Sequence, residues 1–317
     1  VEHAVMHLLY SRFFMRALKH VNTINIDEPF TSLQTQGMVC HQTFKNKEEQ
    51  WVFPSDIIKK DNEYFHFESK EPVIAGRIEK MSKSKKNVVD PQQIIENYGA
   101  DTARFFMLSD SPPNRDMEWS DSGVEGSWRF LNKLWKFVKS LPNKDTKDEL
   151  PTNLSQQNKE LLTFMNTTIK DVTKAIDEFH FNIAVAQIRS LFNLVSSYKI
   201  ENENDSKIVL FITRKLLILI NPMVPHLAEE LWYSLGNENS ISYECWPKAD
   251  SSYIKKNNIK IPIQVNGKVR AVIQVPIDLD KSDIEEIALK EKNVLKFLDK
   301  NPKKVIIVPN RVVNFVI

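Results

Sequence analysis

The sequence is poor in the residues on which several common binding sites depend. Of its 317 residues only seven are glycine, and no G-x-G-x-x-G occurs, so a glycine-rich phosphate-binding loop is not expected. The two cysteines, Cys40 and Cys245, lie far apart in the chain and form no C-x-x-C pair. A disulfide framework and a cysteine-type zinc site are therefore poorly supported, and a reducing, cytoplasmic compartment is favoured.

Long apolar segments and an initiator methionine are also missing. The most apolar run, residues 208–220, contains Arg214 and Lys215 and is too short to cross a bilayer. It predicts a buried helix and no membrane association. The chain opens with VEHAVMHLLYSRFF, whose apolar residues have helical spacing, and no signal peptide is recognisable. We therefore expect a fragment of a longer protein.

Charge is unevenly distributed along the chain. The formal net charge is +2, but residues 255–317 contain 13 Lys and Arg against seven Asp and Glu. A basic module on a nearly neutral body suggests an anionic partner such as nucleic acid, although a chance excess explains the composition equally well. The candidate phosphate contacts in this module are Lys268, Arg270, Lys303, Lys304 and Arg311.

The period of the apolar residues changes along the chain and predicts its elements. Residues 45–71 are polar with scattered aromatics and predict short β-hairpins. Four predicted helices, near 155–179, 181–199, 205–220 and 225–235, form an antiparallel bundle pattern. From about residue 259, alternating apolar residues flank Asn266-Gly267, and a capped amphipathic helix and two more strands follow. The chain therefore closes with a small α+β domain of β-β-α-β-β order.

Several conspicuous residues have structural explanations that we favour over functional ones. Asp90 and Asp101 are placed to begin two consecutive helices. Asp101 and Arg104 are expected to serve as a cap and a structural salt bridge. Trp119 and Trp128 are expected to be core aromatics rather than platforms on which bases stack.

The most unusual segment is IEKMSKSKKN, residues 78–87, which places four lysines among two serines. A solvated run of charge explains such a segment without any function. The alternative is a mobile loop that binds a polyphosphate. Lysine can follow the charge that builds on a departing pyrophosphate, and hydroxyl groups can tether the closed loop. The residues alone leave both interpretations open.

Within this segment, KMSKS at residues 80–84 resembles the second signature of the class I aminoacyl-tRNA synthetases. Further matching stretches surround it, namely EHAVMHLLYSRFF, TQGMV, KNVVDPQQIIENYGADTARFFML and MEWSDSGVEGSWRFLNKLW. NPMVPHLAEELW resembles the family's helical tRNA-binding domain, and IQVNGKVRAVIQVP with VIIVPNRVVNFVI resembles a terminal domain of bacterial type. The series resembles the leucyl-tRNA synthetases in particular and covers nearly the whole chain.

The resemblance implies a fold, a division into domains and an activity. Residues 1–110 would be the C-terminal part of a Rossmann-type α/β catalytic core with a short β insertion. Residues 111–250 would form a helical linker and an anticodon-binding-type bundle, and residues 251–317 a small α+β tRNA-binding domain. The parent enzyme would activate leucine with ATP and Mg²⁺ as leucyl-adenylate and transfer it to leucine tRNA, working as a monomer. No metal site in the chain itself is implied.

The resemblance also implies roles for individual residues. Lys83 would contact the ATP phosphates in the transition state and Lys80 would support the same charge, so both are candidate catalytic residues. The candidate ATP-binding set is Glu2, His3, His7, Gly37, Met38, Val39, Lys80, Met81, Ser82, Lys83 and Ser84. Its first two members match a stretch near the ribose, and residues 37–39 match a strand beside the adenine pocket. A packed helix histidine explains His7 equally well.

Two parts of the family pattern are missing from the sequence. The first signature, His-Ile-Gly-His or a variant, does not occur, and neither does the inserted editing domain. We therefore expect the chain alone to be inactive in amino-acid activation. Two alternatives remain. One is a sibling ligase for isoleucine or valine, against which the terminal β-β-α-β-β module argues. The other is a non-catalytic tRNA-binding module derived from such an enzyme.

Overall fold

A computed structural model describes residues 4–141, 150–254, 258–276, 279–297, 302–308 and 311–316. The chain divides into two compact units, Val1–Ala249 and Asp250–Ile317. Within the described ranges, no helix is both long and apolar enough to span a membrane.

The first unit begins with the predicted helix. A π-helical segment, Ala4–Tyr10, continues directly into helix α1, Ser11–His20. No side chain of α1 is buried, because its apolar face has no described neighbour to cover it. Arg12 and Arg16 bind the Glu28 carboxylate through nitrogen–oxygen distances of 2.6–3.0 Å, and these hydrogen bonds lower the pKa of Glu28 to about 2. These ion pairs tie the segment after α1 back onto the helix.

A six-stranded sheet follows and contains the predicted hairpins. Its strands are β1 (Val39–Lys45), β2 (Trp51–Val52), β3 (Ile57–Lys60), β4 (Glu63–His66), β5 (Pro72–Lys80) and β6 (Met117–Glu118). Their order is β2-β1-β5-β4-β3, with β6 beside β1. Among the described strands of this sheet only β1 and β6 run parallel. Phe44, Val52 and Val73 form a small core on one face. The unit is therefore mixed α/β, as predicted.

Seven helices complete the first unit. They are α2 (Pro91–Tyr98), α3 (Ala100–Ser109), α4 (Asp121–Ser140), α5 (Gln156–Asp177), α6 (Phe181–Ser196), α7 (Glu203–Ile220) and α8 (Pro225–Ser234). Helix α2 begins as predicted, since the Asp90 carboxylate accepts a hydrogen bond from the backbone N–H of Gln92 at 2.9 Å. The four helices predicted after residue 155 are confirmed. Helix α7 is apolar almost all round and is buried along most of its length, which suits the centre of a bundle.

Asp101 acts as a cap, but for a different helix from the one predicted. It lies in the first turn of α3, whose N-cap is Gly99, and its carboxylate reaches α8. There it accepts hydrogen bonds from Leu227 N–H at 2.7 Å and from His226 Nδ1 at 2.8 Å. Among the described residues Arg104 forms no salt bridge; its guanidinium donates to the carbonyls of Pro222 and Met223. Asp101 therefore joins α3 to the first turn of α8, and Arg104 joins α3 to the turn that precedes α8.

The second unit is the predicted small α+β domain. Its strands are β7 (Asn258–Val265), β8 (Lys268–Pro276), β9 (Lys304–Val308) and β10 (Val312–Val316), in the order β8-β7-β10-β9. Helix α9 (Lys281–Leu289) and the short α10 (Lys292–Leu295) supply Ile284, Ala288 and Val294 to its core. Asn266 and Gly267 have φ values of 49° and 80° and form the tight turn between β7 and β8.

Candidate functional site

The lysine-rich segment is a short, well-defined turn at the end of β5. Ser82 begins it, because its hydroxyl accepts a hydrogen bond from the Lys85 N–H at 3.3 Å and lies 3.1 Å from the Ser84 hydroxyl. Residues Lys83–Lys85 form one 3₁₀ turn. Lys86, with a φ of 55°, ends that turn in the left-handed conformation. The segment is therefore a structured loop that projects from the sheet.

A buried asparagine outside the signature holds the base of this loop. The Asn87 side chain has no exposed surface. Its Oδ1 accepts the Ser82 N–H at 2.9 Å, and its Nδ2 lies 3.1 Å from the carbonyl oxygens of both His41 and Glu79 and 3.3 Å from that of Lys80. One amide thus connects both ends of the loop to strand β1. Sequence reasoning missed this residue, because asparagine in a polar segment carries no distinctive signal.

The four lysines of the loop have different environments. Lys85 forms an ion pair with Glu79, and the Lys86 ammonium lies 5.2 Å from the ring centroid of Phe53. Lys80 and Lys83 are exposed. Lys83 also lines a cleft of about 680 Å³ together with Phe53, Pro54, Val88 and residues of α2. Two lysines therefore help to fix the loop, while the two predicted to carry the chemistry face solvent.

Of the predicted strand Gly37–Val39, only Val39 lies in a strand, because β1 begins at that residue. It lies at the foot of the same loop. The Val39 carbonyl accepts the Met81 N–H at 3.0 Å, so this strand and the signature are direct neighbours. Gly37 N–H donates to the Pro113 carbonyl at 2.7 Å, and a Cβ at this position would lie 2.0 Å from the Arg115 carbonyl oxygen. Only glycine permits this approach. Met38 is held through its N–H by the Asp116 carboxylate at 2.8 Å.

His41 is a further titratable group beside the loop. It lines the cleft that contains Lys83, and Asp121 lies in the same lining. Burial lowers the pKa of His41, and the carboxylates of Asp121 and Glu118 oppose that change. His41 is therefore favoured as a neutral imidazole near neutral pH.

The candidates at the start of the chain are only partly described. Glu2 and His3 lie outside the described residues. His7 is exposed on the π-helical segment, and its ring centroid lies 6.5 Å from that of Phe30 in an edge-on arrangement.

Comparisons with known proteins give the chain a family. The family model for the anticodon-binding domain of tRNA ligases matches residues 158–287, and the model for class I tRNA synthetases (I, L, M and V) matches residues 57–120. Along its whole length the chain is 43% identical to a leucine–tRNA ligase of Paramagnetospirillum magneticum and 43% identical to one of Zymomonas mobilis. The chain belongs to the leucine–tRNA ligase family. It spans 37% and 36% of the length of these two curated relatives.

A solved structure of this family has a similar fold. In the ternary complex of Agrobacterium radiobacter K84 agnB2 LeuRS with tRNA and LeuAMS, the LeuRS chain is 28% identical to the present chain, with a TM-score of 0.65. The comparison covers 99% of the present chain and 36% of that one. The similarity to leucine–tRNA ligases agrees with the predicted resemblance to the leucyl-tRNA synthetases.

The predicted tRNA contacts lie at two ends of the second sheet. Lys268 follows the β7–β8 turn, and Lys303 and Lys304 pair with the last residues of β10, which end beside that turn. Arg270 lies near the same end, and its guanidinium carbon is 3.9 Å from the ring centroid of Phe297. Arg311 lies in the β9–β10 connection at the opposite end. Four of the five predicted cations are therefore close together, and Arg311 is not.

The two tryptophans predicted as core aromatics differ. Trp119 packs edge-on against Phe106, with ring centroids 5.2 Å apart, and its Nε1 donates to Asp121 at 2.9 Å. The prediction for Trp128 is wrong, since its side chain is 42% exposed. It lies on α4 beside the buried face rather than within it, and the apolar spacing of this helix does not distinguish those two positions.

No metal centre is apparent in the part of the chain that the structure describes. There, no group of three His, Cys, Asp or Glu residues is placed to hold a metal ion. The exposed lysines of the loop suit an anionic ligand.

Proposed function

We propose that the enzyme to which this chain contributes joins leucine to leucine tRNA, and that the chain supplies the ATP-phosphate loop and tRNA-binding surfaces. The observation that carries the proposal is the loop of residues 80–84, which is fixed at its base by Asn87 and presents Lys80 and Lys83 to solvent. In this proposal residues 1–110, 111–250 and 251–317 are the catalytic, bundle and terminal domains. The enzyme works in the cytoplasm as a monomer and needs no membrane.

In the first step, a leucine carboxylate oxygen attacks the α-phosphorus of ATP. The bond from that phosphorus to the bridging oxygen breaks, and pyrophosphate leaves with the electron pair. Negative charge therefore grows on the pyrophosphate, where the ammonium groups of Lys83 and Lys80 stabilise it more in the transition state than in the ground state. Magnesium bound to ATP would supply further positive charge to the phosphates.

The neighbouring residues would position the nucleotide. Ser82 and Ser84 shape the loop through their hydroxyls, and Met81 links it to Val39. Gly37, Met38 and Val39 would border the adenine pocket, where a small or apolar surface suits the flat ring. Glu2 and His3, with His7, are the proposed contacts on the ribose side.

In the second step, a ribose hydroxyl at the 3′ end of the tRNA attacks the leucyl carbonyl, and AMP leaves. Binding of the tRNA needs positive charge away from the reacting atoms. Lys268, Arg270, Lys303, Lys304 and Arg311 are the proposed phosphate contacts in the second unit. Such contacts strengthen binding and fix orientation without reading bases.

Binding of the purified chain to leucine tRNA and to valine tRNA, at two salt concentrations, tests the tRNA part of the proposal. We expect a preference for leucine tRNA that persists at the higher salt and weakens when Lys268, Arg270, Lys303 and Lys304 are changed to Gln. Equal and steeply salt-dependent binding to both tRNAs would contradict it.

The catalytic part is tested by ATP–pyrophosphate exchange. The chain alone has no first signature, so we expect no leucine-dependent exchange from it. Exchange should appear when the missing part of a leucine–tRNA ligase is supplied, and Lys83→Ala should then lower the rate more than it weakens ATP binding. Robust exchange by the chain alone, or an unchanged rate in Lys83→Ala, would refute the assignment.

A further inference from the structure

A groove on the first unit combines aromatic rings with a neighbouring row of positive charge. Its volume is about 520 Å³, within the range of small-molecule sites. Helix α4 forms one wall with Trp128, Asn132 and Trp135. The α2–α3 junction at Tyr98 and the start of α8 at His226 form the other. None of these residues belongs to the loop or to the cations assigned above.

The aromatic wall follows from the geometry of α4. Trp128, Asn132 and Trp135 are separated by four and three residues, so they lie above one another along one side of the helix. The Asn132 amide donates to the backbone carbonyl of Trp128 at 2.9 Å, one turn earlier in the helix. The Tyr98 ring is edge-on to Trp128, with centroids 6.4 Å apart. The indole is therefore exposed in the groove with an aromatic neighbour at its edge.

The charged row lies about a quarter turn further around the same helix. Arg129, Lys133 and Lys136 have the same four-and-three spacing and are all exposed. The acidic groups on the opposite wall have partners of the opposite sign or backbone donors. Asp101 accepts from His226 and Leu227, and Glu230 lies 3.9 Å from Lys139. On this side of α4 the three cations outnumber Glu125, which lies one turn before Arg129, so the net charge of the row still favours an anion.

From this arrangement we infer that the α4 groove binds one unpaired nucleotide of an RNA. Its base stacks on Trp128, and Arg129 and Lys133 contact the flanking phosphates. Base–aromatic stacking requires an exposed, rigid ring, and phosphates require cations within a few ångströms of it; α4 supplies both on adjacent faces. A purely apolar protein segment would not need the cationic row. The inference rests on the proposed function, in which the chain binds tRNA.

The test compares variants of the whole chain in binding an unmodified leucine tRNA transcript at several salt concentrations. Trp128→Ala should weaken binding about 5- to 150-fold, the equivalent of about 1–3 kcal/mol for one stacked base, and Trp128→Phe should restore most of it. Lys133→Gln should reduce the slope of log K against log salt by about one unit. Two matched controls change exposed residues outside the groove. Tyr243→Ala removes an aromatic ring that is 88% exposed, and Lys47→Gln removes an exposed lysine, so both should leave stacking in the groove intact.

The outcomes separate this inference from the proposed function. If the unaltered chain prefers leucine tRNA and Trp128→Ala binds it equally well, the groove inference is wrong while the proposed function stands. If the unaltered chain does not bind tRNA, the tRNA proposal fails. The groove is then tested by the binding of a single-stranded adenylate hexanucleotide. Quenching of tryptophan fluorescence that disappears in Trp128→Ala then supports a nucleotide groove, and identical quenching in both proteins overturns it. Urea unfolding of the variants checks that exposed Trp128 is not needed for folding.

Discussion

The clearest structural prediction concerns Asn87. Replacing it with alanine removes one acceptor and two amide hydrogens from a fully buried position. The Ser82 N–H and the carbonyls of His41 and Glu79 then lose their partner. A buried polar group left without its partner costs about 1–3 kcal/mol, and water can reach these groups only if the loop opens. The loop should therefore open locally far more often than in the unaltered chain.

Hydrogen–deuterium exchange of the peptide that covers residues 78–88 measures this opening. A loss of about 1–3 kcal/mol corresponds to exchange about 5- to 150-fold faster at Ser82 and Lys85. Asn46→Ala is a matched control. The Asn46 side-chain Oδ1 accepts the N–H groups of Glu48 and Gln50 in another loop of the same sheet, so the effect of its removal should stay there. Unchanged exchange at residues 78–88 in Asn87→Ala would refute the reasoning.

The substitution Asn87→Asp should make the opening of the loop depend on pH. A carboxylate keeps the acceptor for the Ser82 N–H but has no donor for the carbonyls of His41, Glu79 and Lys80. At pH 7 it should therefore loosen the loop at least as much as alanine does. Protonation restores one donor, so the exchange rate of this variant, corrected for intrinsic chemistry, should fall towards that of the unaltered chain as the solution is acidified. Alanine should show no such recovery.

Four further perturbations have expected outcomes. Because burial lowers the pKa of His41 below that of the unfolded chain, unfolding takes up a proton as pH falls from 7 to 5. Urea unfolding should therefore show stability lost over that interval, and His41→Gln should reduce the loss. Gly37→Ala would force a methyl group to within 2.5 Å of the Asp116 nitrogen and should cost about 1–3 kcal/mol. Gly126→Ala, in the middle of α4 with open space around it, should instead stabilise by about 0.5–1 kcal/mol. Asp101→Ala removes the cap of α8 and should cost about 0.5–2 kcal/mol in urea unfolding, whereas an unchanged midpoint would contradict the capping role.

Much of the fold is readable from local patterns. The four long helices after residue 155 follow from apolar spacing, and Asp90 marks the start of α2 through a contact two residues away. Asn266-Gly267 predicts its turn because few other pairs tolerate two successive positive φ values. In each case the deciding interaction lies within a few residues of the signal.

The missed features depend on contacts that are distant in sequence. Asn87 binds a carbonyl 46 residues away, and Asp101 caps a helix whose N–H lies 126 residues away. Neither partner is visible in a local pattern, so the sequence predicts a cap for the nearest helix and gives no signal for the asparagine. The prediction for Trp128 fails for a related reason, since the apolar stripe of α4 does not show where the neighbouring helices stop covering it.

The environments of the lysines bear on the two interpretations of residues 78–87. In a solvated run of charge, the lysines should be interchangeable and the backbone between them should need no fixed conformation. Here Lys85 and Lys86 have distinct partners, Ser82 caps the turn, and a buried amide fixes its base. Burying a polar residue and holding Lys86 in a left-handed backbone conformation both cost free energy, and neither improves solubility. This arrangement does place Lys83 in the lining of a cleft and leaves Lys80 exposed on the same loop, as binding a polyphosphate requires. The structure of the loop therefore favours the polyphosphate interpretation, independently of the resemblance to tRNA ligases.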